Sequence, residues 1–436
     1  MQNGTKKIAQ LGLFTATLLV ASNMMGSGIF MLPVSLAQIG GITVYAWVIT
    51  IIGVLALALT FAKLAVHYSE GAGPAYYAQQ AFGEFAGYQM SWIYSIANWI
   101  ALVSLLPIIT GYLGYLIPAF QNIHVALITQ IIVIWLMTWV NIKGTSFVGI
   151  FQSSTFLIAM VFIFIVIIFG WHYYHPAIFM AGWNPQHLST STAINHSFNN
   201  ILWAFIGVES ACVTAAAVKN AKRNVALATI FGVVIAAVVY VLACIVIMGI
   251  VPHDVLINSN APFETTLDIM FHNNYITAGM AIVTVLKCLG ATAGWMFLIG
   301  QAATAAAKDK LFPKIFAQNN NQGMPRNGLI ILGVIYTVIV VVTISPHAQM
   351  QFQQIITISV ILYLFPYIYG ALAIIKLGKD KLPLKNYIFF SILGVVAALF
   401  CGWSIVSSNN TLALCGMLLL FIIPAFYGLR KNSPNP

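Results

Sequence analysis

The chain has 436 residues and only 26 charged ones, 18 Lys and Arg against 8 Asp and Glu, for a net charge of +10. Charged residues are 6% and hydrophobic residues 61% of the chain, with a mean hydropathy of +0.93, whereas soluble domains carry about 25% charged residues. A soluble fold of this length needs a charged shell, so a cytosolic enzyme, a disordered chain and a secreted disulfide scaffold are excluded, and a polytopic integral membrane protein remains.

The N-terminus, MQNGTKKIAQ, runs straight into an apolar segment with no small-residue cleavage site, so the first span is expected to anchor the mature protein. A spanning helix needs about 20 mostly apolar residues. Breaks at polar, Pro-rich or charged positions then predict about twelve spans, at 11–37, 41–67, 83–117, 123–142, 148–172, 193–217, 226–250, 276–306, 327–344, 352–376, 386–406 and 410–428. No segment alternates polar and apolar residues as a barrel strand would, so the predicted class is an all-α integral membrane protein forming a single transmembrane domain over 1–436. The five cysteines, Cys212, Cys244, Cys288, Cys401 and Cys415, lie in apolar stretches without CxxC pairing and read as small buried hydrophobes.

Basic residues fix the orientation. Lys6, Lys7, Lys63, Lys143, Lys219, Lys222, Arg223, Lys308, Lys310, Lys314, Arg326, Lys376, Lys379, Lys381, Lys385, Arg430 and Lys431 all fall on the side of the N-terminus. The opposite connections, around 118–122, 173–192, 251–275, 345–351 and 407–409, have no Lys or Arg. The positive-inside rule then puts both termini in the cytoplasm. These 17 of 18 basic residues are topology signals, so the positive net charge calls for no nucleic acid. The exception is Lys287, inside span 8.

Span 1 contains Asn23-Met24-Met25-Gly26-Ser27-Gly28, where two glycines around a serine weaken a helix in mid-span. Lipid cannot satisfy freed backbone groups, so a break belongs where it lines a cavity. The N–H groups of a half-helix start suit a carboxylate. On this motif alone a close-packing glycine pair is the alternative. Span 6 contains Leu202-Trp203-Ala204-Phe205-Ile206-Gly207-Val208-Glu209-Ser210, with the one acid expected deep in a span. A bilayer carboxylate costs several kcal/mol and should face a polar cavity or a partner. The other seven acids, Glu70, Glu84, Asp254, Glu264, Asp268, Asp309 and Asp380, fall in connections or at span ends. Two interruptions five spans apart fit an inverted repeat, with repeat one at about 11–172, repeat two at about 193–376, and two extra helices at about 386–428. Such repeats hold their substrate at the midplane, between the discontinuous helices.

These residues resemble a known family. The stretch Asn23-Met-Met-Gly-Ser-Gly-Ile-Phe-Met-Leu-Pro33 is similar to the first-helix signature of the basic amino acid/polyamine antiporters of the amino acid–polyamine–organocation superfamily. Leu202 to Ser210, Val218-Lys219-Asn220, Lys222-Arg223-Asn224, Cys288-Leu-Gly-Ala-Thr-Ala-Gly-Trp295 and Phe312-Pro-Lys-Ile-Phe316 fit as well. The similarity runs nearly end to end and is strongest to arginine–agmatine and lysine–cadaverine antiporters, with ornithine–putrescine exchangers near. It implies a leucine-transporter-type fold, no cofactor or metal, and exchange of an amino acid for its decarboxylated amine without sodium. It also implies that Ser27, Gly28 and the backbone of Gly26 bind the substrate carboxylate. The carbonyls of Met24, Trp203 and Ile206 would hold the α-amino group. Trp295 would stack on a cationic side chain, Trp203 would cap the occluded substrate, and Tyr94, Glu209 and Tyr367 would form a gate. Relatives form dimers, so a homodimer in the bilayer is expected.

Residue chemistry agrees with these roles. A desolvated cation over an indole face gains about 2 kcal/mol, and protonation of buried Glu209 is expected to couple to substrate occupancy or acid pH. Gly290 and Gly294 would let span 8 approach another backbone. The pocket positions Ala97, Asn98 and Ser359 are also expected to touch substrate, with Asn98 one turn after Tyr94 on the same face. Leu102 and Ala291 stand where relatives have polar residues, which makes the distal pocket apolar and favours a lysine-like or less polar side chain. Lys287 stands where the family has a small residue. It is expected to pair with Glu209 or to fill a vestigial cation site, a gating or coupling role. A proton-coupled permease for a neutral or aromatic amino acid is the alternative function. No HExxH, nucleophile motif, P-loop or dinucleotide fingerprint points to an enzyme.

Overall fold

The computed structural model describes residues 12–68, 73–143, 145–213, 218–308, 312–318 and 325–408. The order of its helices follows the hydropathy of the chain. Helices α1 (Leu13–Met24) and α2 (Gly28–Ala37) make one span bent by 44° at the break. A 3₁₀ turn leads into α3 (Val44–His67), and α4 (Gly73–Phe82) lies between the second and third spans. Span 3 is α5 (Glu84–Val103) continued by α6 (Leu105–Leu116), and α7 (Ile123–Lys143) and α8 (Thr145–Tyr173) follow. After the short α9 (Pro176–Ala181) the sixth span begins as α10 (Thr190–Trp203) and resumes as α11 (Ser210–Val213). Then come α12 (Ala221–Ile250), the short α13 (His253–Leu256) and α14 (Pro262–Phe271), and α15 (Asn274–Lys308). The series ends with α16 (Arg326–Thr343), α17 (Ala348–Leu377) and α18 (Leu384–Ser407).

Nine helices are long and apolar enough to cross a membrane, and the bent α1–α2 pair makes ten among the described residues. The span expected at 410–428 lies outside the described residues. Outward rows confirm the solvent these helices meet. Leu157, Ile158, Val161, Phe164 and Ile168 project from α8, and Val334, Val338, Val341 and Val342 from α16. In water such rows would be polar; here they face lipid, and the protein is a multi-pass membrane protein.

Local chemistry sets the helix ends. Ser189 caps α10 by accepting the Thr192 N–H at 3.2 Å, satisfying one of the free donors of a helix start. Pro176 and Pro262 open α9 and α14, where a missing N–H costs nothing. Inside the bundle, α1, α2, α5, α6, α10, α12, α15 and α17 enclose the buried core, while α7, α16 and α18 lie outside. Gly290 and Gly294 sit against α8, where a Cβ at 290 would come 3.3 Å from the Gln152 Cα and one at 294 would overlap the Gln152 side chain. The expected close approach of span 8 is therefore made to span 5.

Candidate functional site

The two helix breaks touch. Gly207 has φ +104°, a conformation that L side chains rarely adopt, and a Cβ there would lie 3.4 Å from the Asn23 backbone. Around it, N–H groups reach three residues back instead of four: Ala204 to Ile201, Phe205 to Leu202, Ile206 to Trp203, and Val208 to Phe205. That turn series unwinds span 6, with the Ile201, Leu202, Trp203 and Phe205 carbonyls each accepting one of these N–H groups. In span 1, Met25, Gly26 and Ser27 separate the half-helices, so the first N–H groups of α2 have no helical acceptor. Asn23 ties the breaks together by donating Nδ2–H to the Ser210 Oγ at 3.0 Å.

Between them lies a narrow cavity, with about 40 Å³ open to a water-sized sphere, lined by Asn23, Met24, Gly26, Ser27, Asn98, Ala101, Leu102, Ser104, Leu105, Trp203, Ile206, Trp295 and Tyr363. None of its lining side chains is acidic or basic. Seven predicted residues thus line one space: Met24, Gly26, Ser27, Asn98, Trp203, Ile206 and Trp295. Gly28 stands just behind, where a Cβ would meet the Trp203 ring at 3.1 Å. Ala97 and Ser359 are buried but do not line the cavity; the Ser359 hydroxyl donates to the Ile355 carbonyl at 2.8 Å. Ala291 is buried away from it too.

One wall is a tryptophan latch. Trp203 Nε1–H donates to the Ser27 Oγ at 3.2 Å, and Ser27 shares a 2.9 Å hydrogen bond with Ser104 at the α5–α6 kink. Spans 1, 3 and 6 are therefore joined through one serine. Phe352 of α17 packs edge-on against Trp203, with ring centroids 6.3 Å apart.

The three residues expected to form a gate come together just outside this lining. Tyr94 donates to Glu209 Oε1 at 2.7 Å and Tyr367 to Oε2 at 2.6 Å. Both oxygens of a fully buried acid are thereby satisfied by α5 and α17. Tyr363, one turn before Tyr367, donates to Asn98 Oδ1 at 2.8 Å, and Asn98 Nδ2–H donates to the Tyr94 carbonyl at 2.7 Å. Beside these residues a second cavity of about 260 Å³ is lined by Asn23, Tyr94, Asn98, Trp295, Ile299 and Ala302 among others. It extends toward the face where α5 begins and α15 ends. On the other face, a third cavity of about 450 Å³ is lined by Thr110, Gln130, Asn258, Ala261, Thr265, His347 and Gln351 among others. The central space borders the second cavity at Asn23, Asn98 and Trp295 and shares no lining residue with the third.

Several contributors were absent from the sequence reading. Ser104, Tyr363 and Asn23 line the cavity, and Asn23 Oδ1 is buried with no partner. Asn23 stood inside the motif that marked the break, and Tyr363 one helical turn from Tyr367; both were within reach of periodicity. The Met24 carbonyl already accepts the Gly26 N–H at 2.9 Å and the Tyr240 hydroxyl at 2.9 Å, so its two lone pairs are engaged.

Lys287 is a correction. It is buried, but its Nζ lies over the Phe156 ring at 5.6 Å and has no hydrogen-bond partner. It does not pair with Glu209 and does not line the central cavity. Eight residues before Trp295 is about two turns and 80° around the helix, which turns the ammonium toward α8. Glu264 lies in a connection as expected, and α14 buries it fully.

The family model for "Amino acid permease" matches residues 11–430. The chain belongs to the amino acid permease family. Relatives match along the whole chain. It is 33% identical over 427 residues to the cadaverine/lysine antiporter of Escherichia coli strain K12, covering 97% of this chain and 95% of the relative. It is 32% identical over 430 residues to the putrescine transporter PotE of the same strain, covering 97% and 96%. The Haemophilus influenzae PotE is 32% identical over 429 residues, covering 97% of each. Family members are transporters rather than enzymes, and so is this permease. Its relatives carry amino acids and amines, which makes amino-acid or amine transport its function.

Proposed function

We propose that this permease exchanges an amino acid with a basic side chain, such as lysine, arginine or ornithine, for its decarboxylated amine by alternating access. The observation that supports it most is the central cavity itself: a helix N-terminus and unwound carbonyls at one end, and the Trp295 indole at the other. The free N–H groups at Ser27 and Gly28 suit a carboxylate, while the Gly26 N–H is engaged by the Met24 carbonyl. The unpartnered Asn23 Oδ1 and the carbonyls of Trp203 and Ile206 suit an ammonium. Trp295 offers a π face to a cationic side chain, and no acidic residue in the lining would trap that cation permanently. Exchange needs such a balance, since both partners must leave as readily as they enter.

In this reading, alternation opens the cavity at Trp203 toward the third cavity, the vestibule at Gln351, and at Glu209 toward the second, the vestibule at Ala302. The fit with a 5+5 inverted repeat, over about 11–172 and 193–376, rests on the paired breaks in spans 1 and 6. Placement in the bacterial inner membrane as a homodimer, with both termini cytoplasmic, rests on the family likeness and on the basic residues gathered on one side.

A second reading, proton-coupled uptake of a neutral or aromatic amino acid, is favoured by Ala101, Leu102 and Leu105 in the wall. A counterflow screen in proteoliposomes separates the two. Labelled lysine, arginine or ornithine entering only against internal amino acid or amine supports exchange. Entry of a neutral amino acid into empty vesicles under a proton gradient supports uptake.

A further inference from the structure

Helix α14 carries an acid that neither gate nor cavity uses. Glu264 is 0% exposed, and neither carboxylate oxygen has a hydrogen-bond partner. Its neighbours divide by side. Ala261 and Thr265 line the vestibule opposite the termini, while Phe263 packs edge-on against Phe30 of α2, with ring centroids 5.9 Å apart. Tyr112 of α6 donates to the Phe30 carbonyl at 3.2 Å and sits beside the Phe263 amide. Thus α14 is bolted to the half of span 1 that must move if the Trp203 side opens, and Glu264 lies one layer behind a wall facing that vestibule.

We infer that Glu264 is a second proton-binding site of this transporter, loaded from the vestibule opposite the termini and closed off when α14 packs against α2. Within the transport reading above, on which this depends, its proton licenses closure of that face. An unpaired carboxylate costs several kcal/mol to bury, whereas the start of α14 favours an anion by only about 1 kcal/mol. The packed arrangement therefore requires the neutral acid, and burial pushes the Glu264 carboxyl well above the usual carboxylate range. The titratable groups close enough to act on it are Tyr112 of α6 and Cys288 of α15. Lys287 adjoins Cys288 but makes no ion pair with Glu264, and directs its Nζ to Phe156. α2 has no ionisable side chain; α8 has only His172 and Tyr173 at its end; α12 has Tyr240 and Cys244 within the span, with Lys222 and Arg223 at its start.

The sign follows. A raised acid pKa means that protonated, packed α14 is present at low pH and lost as pH rises through that value, at about tenfold per unit beyond it. Glu264→Gln fixes the neutral state. The ratio of Glu264→Gln to wild-type exchange rates cancels every other titration, and it is expected to rise at least tenfold toward alkaline pH. Thr266→Cys, buried on α14, should become more reactive to an impermeant thiol reagent over the same range in an otherwise wild-type chain. A flat ratio, or a Glu264→Gln protein that binds substrate yet exchanges at no pH, would overturn the assignment. If Glu264→Gln does not fold, constant labelling at Thr266→Cys overturns it. Wild-type exchange persisting beside those results sinks this proposal alone; its absence sinks the functional reading.

Discussion

Tyr367→Phe tests the gate at its most defined contact. The substitution keeps the ring, which packs edge-on against Phe61 at 5.7 Å, and deletes only the hydroxyl that donates to Glu209 Oε2 at 2.6 Å. A hydrogen bond to a charged group contributes about 1.5–3 kcal/mol. Since 1.4 kcal/mol is a factor of about ten, the closed gate should lose roughly 10- to 150-fold in population relative to the open one. The remaining Tyr94 contact at 2.7 Å keeps Glu209 from being orphaned, so the loss should stay within that range. A cysteine at Ala101, which lines the central cavity behind the gate, reports it. Its modification by an impermeant thiol reagent from the terminus side should accelerate at least tenfold in Tyr367→Phe. Among the described residues Cys212, Cys244, Cys288 and Cys401 are buried, and Cys415→Ser in the parent removes the remaining thiol. Tyr94→Phe should act likewise, and the pair should be non-additive because both hydroxyls serve one carboxylate. A labelling rate within twofold of the parent, in a protein that still binds substrate, would refute the gate.

Other consequences are equally direct. Trp295→Leu should weaken binding of a cationic amino acid by about 0.5–2 kcal/mol, roughly 2- to 30-fold, and a neutral one far less, as read by equilibrium binding. Trp203→Phe deletes the Nε1–H bond to Ser27 and should loosen the latch by about 0.5–1.5 kcal/mol, seen as faster substrate release. Gly207→Ala places a side chain at φ +104°, so thermal unfolding in detergent should show about 1–2 kcal/mol of destabilisation. Lys287→Met removes a buried amine that has no partner; it should raise the unfolding temperature and leave substrate affinity unchanged.

The spans were legible because hydropathy alone defines them. The expected 83–117 is observed as Glu84–Leu116, and 386–406 as Leu384–Ser407. The breaks were legible because Gly26, Gly28 and Gly207 interrupt helices that lipid would otherwise demand be continuous. Contacts between distant segments were not. Ser104 reaches Ser27 only because span 3 kinks there, and nothing in a run of apolar residues announces that kink. The angular offset of Lys287 from Trp295 was present in the numbering, yet which neighbour α15 shows on that side depends on the Gly290 and Gly294 packing with α8. Glu264 follows a proline in a polar connection and has the look of a surface residue; its burial comes from α14 folding back onto α2.

Obligatory exchange through the cavity between the two breaks can be measured directly. The most direct measurement loads proteoliposomes with labelled lysine and follows efflux with and without unlabelled amine or amino acid outside. Efflux that needs the external partner, and that falls when Trp295 is replaced by Leu, is the predicted result. Efflux at the same rate into substrate-free buffer, unaffected by that substitution, would contradict it.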